Sequence, residues 1–294
     1  MTSIVGHRSQ AVKTLESAAL YIVATPIGNL EDITARAVKV LSEVDWIAAE
    51  DTRHTQKLLQ ALGIRQKRLI SLHEHNESAR AVALQQALEK GETGALVSDA
   101  GTPLINDPGY QLVCRLREAQ MSVIPIPGPS AVITALCAAG LPTDRFSYEG
   151  FLPARSSKRV AALQALQEEV RTMVFYESPH RLLESLRDFA AVFADNRQLV
   201  VAKELTKQFE QFVSGSVDEV LKYFVEHPDR VRGEFVLMLA GKEKQVEVSA
   251  INDRLIQCLL AQGLPVKQIS AIVADYDGQK KNAIYQRVLA LKDQ

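Results

Sequence analysis

The residues best suited to chemistry lie at polar corners that follow short apolar runs. The fullest of these is Ser98-Asp99-Ala100-Gly101-Thr102-Pro103-Leu104-Ile105, where Ala95-Leu96-Val97 meets a turn punctuated by Gly and Pro before a helical pattern resumes at Tyr110. A strand that empties into such a corner presents backbone amides and carbonyls to a ligand, and in open α/β sheets ligands lie beyond the carboxyl ends of strands. Companion corners at Pro26, Ser130-Ala131 and Phe175-Tyr176-Glu177 add apolar faces for a purine, backbone groups for an amino-acid head and a carboxylate for hydroxyls or a cation. No G-x-G-x-x-G follows the first apolar run and no G-x-x-x-x-G-K-[ST] occurs, which disfavours dehydrogenases and kinases. A plain structural turn is the other reading of Asp99 to Ile105, although an exit this rich in backbone-exposing residues is unusual for mere connection.

Other constellations are weaker. His73-Glu74-His75 invites a metal, yet i and i+2 in extended chain is not the helical H-E-x-x-H spacing and no third ligand stands nearby, so no metal is expected. Glu50-Asp51-Thr52-Arg53 reads equally as a helix N-cap with first-turn charges or as a substrate contact. Cys114, Cys137 and Cys258 stand singly in apolar helical contexts, which suggests buried thiols in a reducing compartment, hence the cytoplasm. Lys plus Arg total 34 against 35 Asp plus Glu, so any nucleic acid must meet a local basic patch. Arg53, His54, His75, Arg181 and Lys203 all fall at strand-end corners and could form one, with scattered surface ion pairs as the alternative.

The elements that must position these corners alternate. Five strand-and-helix units between Leu20 and Ala139 argue for a parallel sheet covered by helices. A turn cluster at Ala139-Gly140-Leu141-Pro142-Thr143 opens a second region, in which Leu199–Ala202, Glu210–Val213 and Phe235–Leu239 are spaced for antiparallel pairing, and Ser216 with Glu219 has capping-box spacing. The expected organisation is a flexible arm over 1–19, an α/β domain over 20–142, an α+β domain over 143–241 and a helical appendage over 242–294. No apolar run approaches the roughly 18 residues of a membrane span. In the appendage, Leu264–Ala274 and Gly278–Leu291 resemble a helix-turn-helix, and Lys280 and Lys281 open its last helix as candidate RNA contacts.

Taken together in order, Ala24-Thr25-Pro26-Ile27-Gly28-Asn29-Leu30, Ala49-Glu50-Asp51-Thr52-Arg53-His54-Thr55, Ser98 to Pro103, Pro127-Gly128-Pro129-Ser130, Phe175 to Arg181 and Lys203-Glu204-Leu205-Thr206 make the chain resemble the tetrapyrrole-methylase-like (class III) S-adenosylmethionine enzymes, and among them the bacterial small-subunit ribosomal RNA methylating branch. The porphyrin-precursor members carry G-x-G-P-G-D after the first strand; Ala24 to Asn29 departs from it, which points away from tetrapyrroles. The resemblance implies a two-domain fold, a homodimer, and methyl transfer from S-adenosylmethionine to the ribose 2′-oxygen of a cytidine in 16S ribosomal RNA near the decoding centre, within the small subunit. By matching motifs, Pro26 would line the cosubstrate site, Asp99, Gly101, Thr102, Leu104 and Ile105 would hold its methionine and ribose parts, and Ser130, Ala131, Tyr176, Glu177 and Ala240 would enclose the rest. Glu177 or Lys203 is the expected aid to deprotonating the ribose hydroxyl, with Glu204 a further candidate. A small-molecule methylase of the same fold and a non-catalytic nucleic-acid-binding regulator are the competing readings.

Overall fold

Gly94–Val97 and Trp46–Ala49 are buried along their whole length, the mark of strands covered on both faces. They form the middle of a sheet built from β1 (Ala19–Val23), β2 (Trp46–Ala49), β3 (Arg68–Ser71), β4 (Gly94–Val97) and β5 (Ser122–Ile126), in the order β3-β2-β4-β1-β5 with every pairing parallel. The intervening helices are α1 (Ala35–Glu43), α2 (Thr52–Ala61), α3 (Glu77–Glu89), α4 (Tyr110–Glu118) and α5 (Ala131–Ala138). The Trp46 indole lies against the start of β4 because position 94 is glycine: a Cβ there would collide with the ring. The computed structural model describes residues 15–193, 197–243, 250–278 and 280–292; most of the expected N-terminal arm, 1–14, lies outside them.

The second sheet comprises β6 (Phe146–Phe151), β7 (Thr172–Glu177), β8 (Gln198–Lys203), β9 (Gln211–Ser216) and β10 (Phe235–Leu239), in the order β6-β7-β10-β8-β9. Only β6 and β7 run parallel; β10 is antiparallel to both its neighbours, and β8 to β9. Alternation divides its residues sharply. Met173, Phe175, Leu199, Val201, Phe235, Leu237 and Leu239 face a core closed by α6 (Ser156–Ala165), α7 (Leu182–Val192) and α8 (Val217–Glu226), whereas Val174, Val200, Ala202, Val236 and Met238 face α5 and Ile27 from the first half. Ser216 and Glu219 form the expected capping box at the start of α8.

The two sheets belong to one compact unit, Met1–Lys242; Glu243–Gln294 is a second, made of α9 (Ala250–Ala261), α10 (Val266–Asp277) and α11 (Lys281–Lys292) around Ile256, Ile269, Val273, Ile284 and Val288. Gly278, left-handed at φ 66°, ends α10. One expectation is corrected: Cys137 and Cys258 are exposed and Cys114 is half-buried. Apolar neighbours in sequence were a poor guide there, since α5 is apolar almost all round and still leaves Ile133 in solvent. Among the described residues no helix is long and apolar enough to cross a membrane.

Candidate active site

A cavity of about 310 Å³ opens between the carboxyl ends of the parallel sheet and the α5-facing side of the second sheet. From the first half it is lined by Ile27, by Ala100, Gly101, Thr102, Ile105, Asn106 and Asp107 of the β4–α4 loop, and by Ser130 and Ala131 at the start of α5; Phe151, Tyr176, Leu205 and Val236 close it from the second. Its size is at the lower end of small-molecule pockets, about 300–1,000 Å³.

The β4–α4 loop is held at both ends and twisted between them. Thr25 and Gly101 exchange two backbone hydrogen bonds of 2.9 and 3.0 Å, and the Thr102 hydroxyl donates to the Pro129 carbonyl at 3.0 Å. At the far end the buried Glu77 carboxylate accepts the N–H groups of Gly109, Gln111 and Leu112, doing for α4 what a capping side chain at Gly109 cannot. Gly101, Leu104, Asn106 and Gly109 all have φ between 66° and 128°. For Leu104 and Asn106 this left-handed backbone costs about 1–3 kcal/mol each, strain that collects where backbone groups are aimed at a ligand.

Opposite this loop an irregularity builds an aromatic wall. Between Tyr148 and Gly150 the β6–β7 register gains one residue, at Glu149, so Tyr148 and Phe151 both come against Tyr176, at ring distances of 5.1 and 5.5 Å. An unbroken strand would have sent them to opposite faces. The Tyr148 hydroxyl donates to Asn106 Oδ1 at 2.8 Å, tying the wall to the loop, and Gly150 leaves room for that same Asn106. Burial pushes the phenol pKa of both Tyr148 and Tyr176 up.

Asp107 is the ionisable side chain whose setting stands out. Burial pushes its carboxyl up to about 6; a hydrogen bond from Ser98 opposes this, while the charges of Glu50 and Asp99 add to it. Glu50 is itself raised, by burial and then by Asp99.

The structure brings Gly101, Thr102, Ile105, Ser130, Ala131 and Tyr176 together around the cavity as the motifs suggested. Pro26, Asp99, Leu104 and Ala240 stand behind that lining: Asp99 accepts the Asp51 N–H at 3.1 Å, Leu104 packs on the core under α4, and Ala240 packs beneath α5. Glu177, only 3% exposed, touches the cavity, but its carboxylate points into the helix-covered side, where it accepts from the Ser178 N–H, from Arg181 at 3.0 and 2.8 Å and from the Ser185 hydroxyl. Lys203 shares that side and is absent from the cavity's lining. Of the expected RNA contacts, Arg53, His54 and His75 are exposed, with Arg53 ion-paired to Asp51, the N-cap of α2; Arg181 is committed to Glu177. Lys280 and Lys281 are exposed in the second unit. Among the described residues no cluster of three or more His, Cys, Asp or Glu is arranged for a metal. Asn106, Asp107, Phe151 and Val236 were missed; only the Asn-Asp-Pro-Gly turn composition flagged the first two.

Residues 19–221 match the family of Tetrapyrrole (Corrin/Porphyrin) Methylases, and 248–292 match the RsmI C-terminal HTH domain. A "Ribosomal RNA small subunit methyltransferase I" of Escherichia coli O157:H7 is 54% identical over 92% of this chain and 94% of that protein. The chain belongs to the tetrapyrrole methylase family, in its ribosomal RNA small subunit methyltransferase I group. Proteins of the same name from Haemophilus influenzae and Synechocystis are 49% and 46% identical to this methylase over 92% and 93% of it, and over 96% and 98% of their own lengths. Among solved structures, the uroporphyrin-III-C-methyltransferase of Thermus thermophilus covers 76% of the methylase and 94% of its own chain at a TM-score of 0.54 and 18% identity, and a diphthine synthase 76% and 90% at 0.56 and 13%. These last two share its fold.

Proposed function

We propose that the chain transfers a methyl group from S-adenosylmethionine to the ribose 2′-oxygen of a cytidine in 16S ribosomal RNA, near the decoding centre of the small ribosomal subunit. The observation that carries this is a strand-end cavity with a preset, backbone-presenting loop in a chain about half identical, over nearly its full length, to ribosomal RNA small subunit methyltransferases I.

The residues present suit the methyl donor. Ser130 makes no side-chain cap bond at the start of α5, so the first turn is open to a carboxylate at the cavity wall, where Ala131 sits. Tyr176, Phe151, Ile27 and Val236 offer apolar faces for a purine. The acidic side chains Asp107, Asp99 and Glu50 favour a cationic sulfonium.

A sulfonium methyl is already activated, so alignment of oxygen, methyl and sulfur does most of the work, and orientation supplies up to about 7–11 kcal/mol. In this reading the 2′-oxygen attacks the methyl carbon, the carbon–sulfur bond breaks with its electrons left on sulfur, and the hydroxyl proton passes to the Asp107 carboxylate. Asp107 takes this role in place of Glu177, whose oxygens are occupied by four donors. Glu177 is then a positioning residue for the β7–α7 corner. The same reading includes a cytoplasmic homodimer, with exposed Ile133 and Tyr110 as apolar surface for a second copy, and Arg53, His54, His75, Lys280 and Lys281 as outer RNA contacts.

The test is transfer of labelled methyl groups to small subunits from cells lacking the protein, followed by mass mapping of the 16S RNA. A single 2′-O-methylated cytidine is expected; labelling of a base, or of a tetrapyrrole and not of RNA, would refute the proposal.

A further inference from the structure

A second cavity, of about 290 Å³, lies on the other face of the same strand ends. It is lined by Lys203 and Glu204 at the end of β8, Phe209 in the β8–β9 loop, and Asp229, Arg230, Arg232 and Gly233 ahead of β10. The two cavities are separated by the backbone of β8 and β10: Lys203, Glu204 and Gly233 line this one, Leu205, Glu234 and Phe235 the first, and the Glu204 N–H donates to the Glu234 carbonyl between them at 2.9 Å.

Lys203 is 7% exposed, and among the described residues its ammonium has no hydrogen bond and no ion pair within 4 Å. Lysine side chains this enclosed are ordinarily paired; the Lys203 ammonium instead opens on the cavity, where solvent or an anion reaches it. Of the acids on the lining, Glu204 is already taken: its carboxylate accepts from Lys207 at 2.9 Å and from the Glu234 N–H at 3.0 Å. Arg232 is exposed and, among the described residues, likewise unpaired, while Arg230 and Asp229 form a loose surface pair at 3.4 Å. At the rim Phe209 leaves 68% of itself in solvent, far more than a side chain serving the fold. Glu204 and Thr206 take left-handed φ of 52° and 66° in the loop joining the two cavities, and Gly233 has no Cβ where Glu204 crosses it.

We infer that this second cavity is a nucleotide subsite, in which Lys203 and Arg232 grip a phosphodiester of the RNA strand and Phe209 stacks on an adjoining base, while the neighbouring ribose enters the first cavity. The inference rests on the RNA-directed reading above. Strand passage over the ends of β8 and β10 explains why a buried cation, a free guanidinium and an exposed ring converge beside the donor pocket. Phosphate contacts fix position along a strand, and an aromatic platform takes any base.

The experiment uses the full chain, labelled S-adenosylmethionine and small ribosomal subunits from cells lacking the protein, with Lys203→Met, Arg232→Gln and Phe209→Ala. Each is expected to raise KM for subunits about tenfold, with donor affinity in calorimetry unchanged. The two charge variants also flatten the log–log salt dependence of RNA binding, by about 0.7 for each phosphate no longer neutralised, whereas Phe209→Ala leaves that slope alone. Arg232 and Phe209 are exposed, so their variants fold irrespective of Lys203. An unchanged KM and slope in Arg232→Gln and Phe209→Ala would overturn the inference and leave the methyltransferase reading standing, and so would a Lys203→Met variant that loses turnover at unaltered KM. Failure of the unaltered protein to methylate RNA would overturn both.

Discussion

Asp107→Asn offers the sharpest test, because it moves stability and activity in opposite directions. The carboxyl stands at about 6 in the folded chain against an ordinary 3.8. At about 1.4 kcal/mol per pH unit the difference is about 3 kcal/mol, and solvent reaching the half-buried group reduces it to about 1.5 kcal/mol. The folded state binds this proton more tightly than the unfolded chain, so the contribution favours folding at low pH and is lost as pH rises through 6. Above about pH 7 the ionised carboxyl therefore weakens the fold, and the neutral Asn relieves it. The variant should melt about 3–6 °C higher at pH 8, with the advantage shrinking as pH falls from 6 towards 4. Trp46, the sole tryptophan and fully buried in the first sheet, reports this unit's unfolding by fluorescence. Methyl transfer by the same variant should drop about 100-fold, and the unaltered enzyme should lose rate below about pH 6. Equal melting at all pH values together with full transfer would refute the assignment.

Gly101→Ala should weaken donor binding, measured by calorimetry, about tenfold, since φ 81° disfavours any Cβ by about 1–2 kcal/mol and the added methyl would sit 3.3 Å from Ile27. Glu177→Ala removes one partner of a buried pair and should lower stability in urea by about 3–5 kcal/mol, while transfer per folded molecule at permissive temperature persists; loss of turnover without loss of stability would restore Glu177 as the base. Replacing Lys280 and Lys281 together by Ala should reduce affinity for small subunits in low salt and leave donor binding intact, and equal affinity would confine the second unit to another task.

The parallel sheet was legible because doubly covered strands such as Trp46–Ala49 read as unbroken apolar runs, and the corners because Gly, Pro and Asp interrupt them. Strand order was not legible: β4 inserts between β1 and β2, a long-range choice that local composition does not record. The cavity-facing residues of the second sheet were hidden for a different reason. Tyr176 and Glu177 are adjacent in one motif, yet alternation sends the phenol into the cavity and the carboxylate to Ser185; motif membership carries no information on face. Tyr148 and Phe151 needed a bulge that no residue spacing announced. Asp107 owes its raised carboxyl first to burial and then to the charges of Glu50 and Asp99, a setting that residue spacing does not record.

Strand β10 pairs on both sides, with Phe235 opposite Glu177 on one flank and Lys203 on the other. A single residue inserted or deleted within it would throw the residues beyond that point onto the opposite face, Met238 into the helix-covered core and Leu237 and Leu239 towards the cavity, and would misalign both neighbours at once. This strand therefore acts as a fixed gauge: the turns at 204–210 and 227–234 can change length without breaking the pairing of the second sheet, whereas the five residues of β10 cannot.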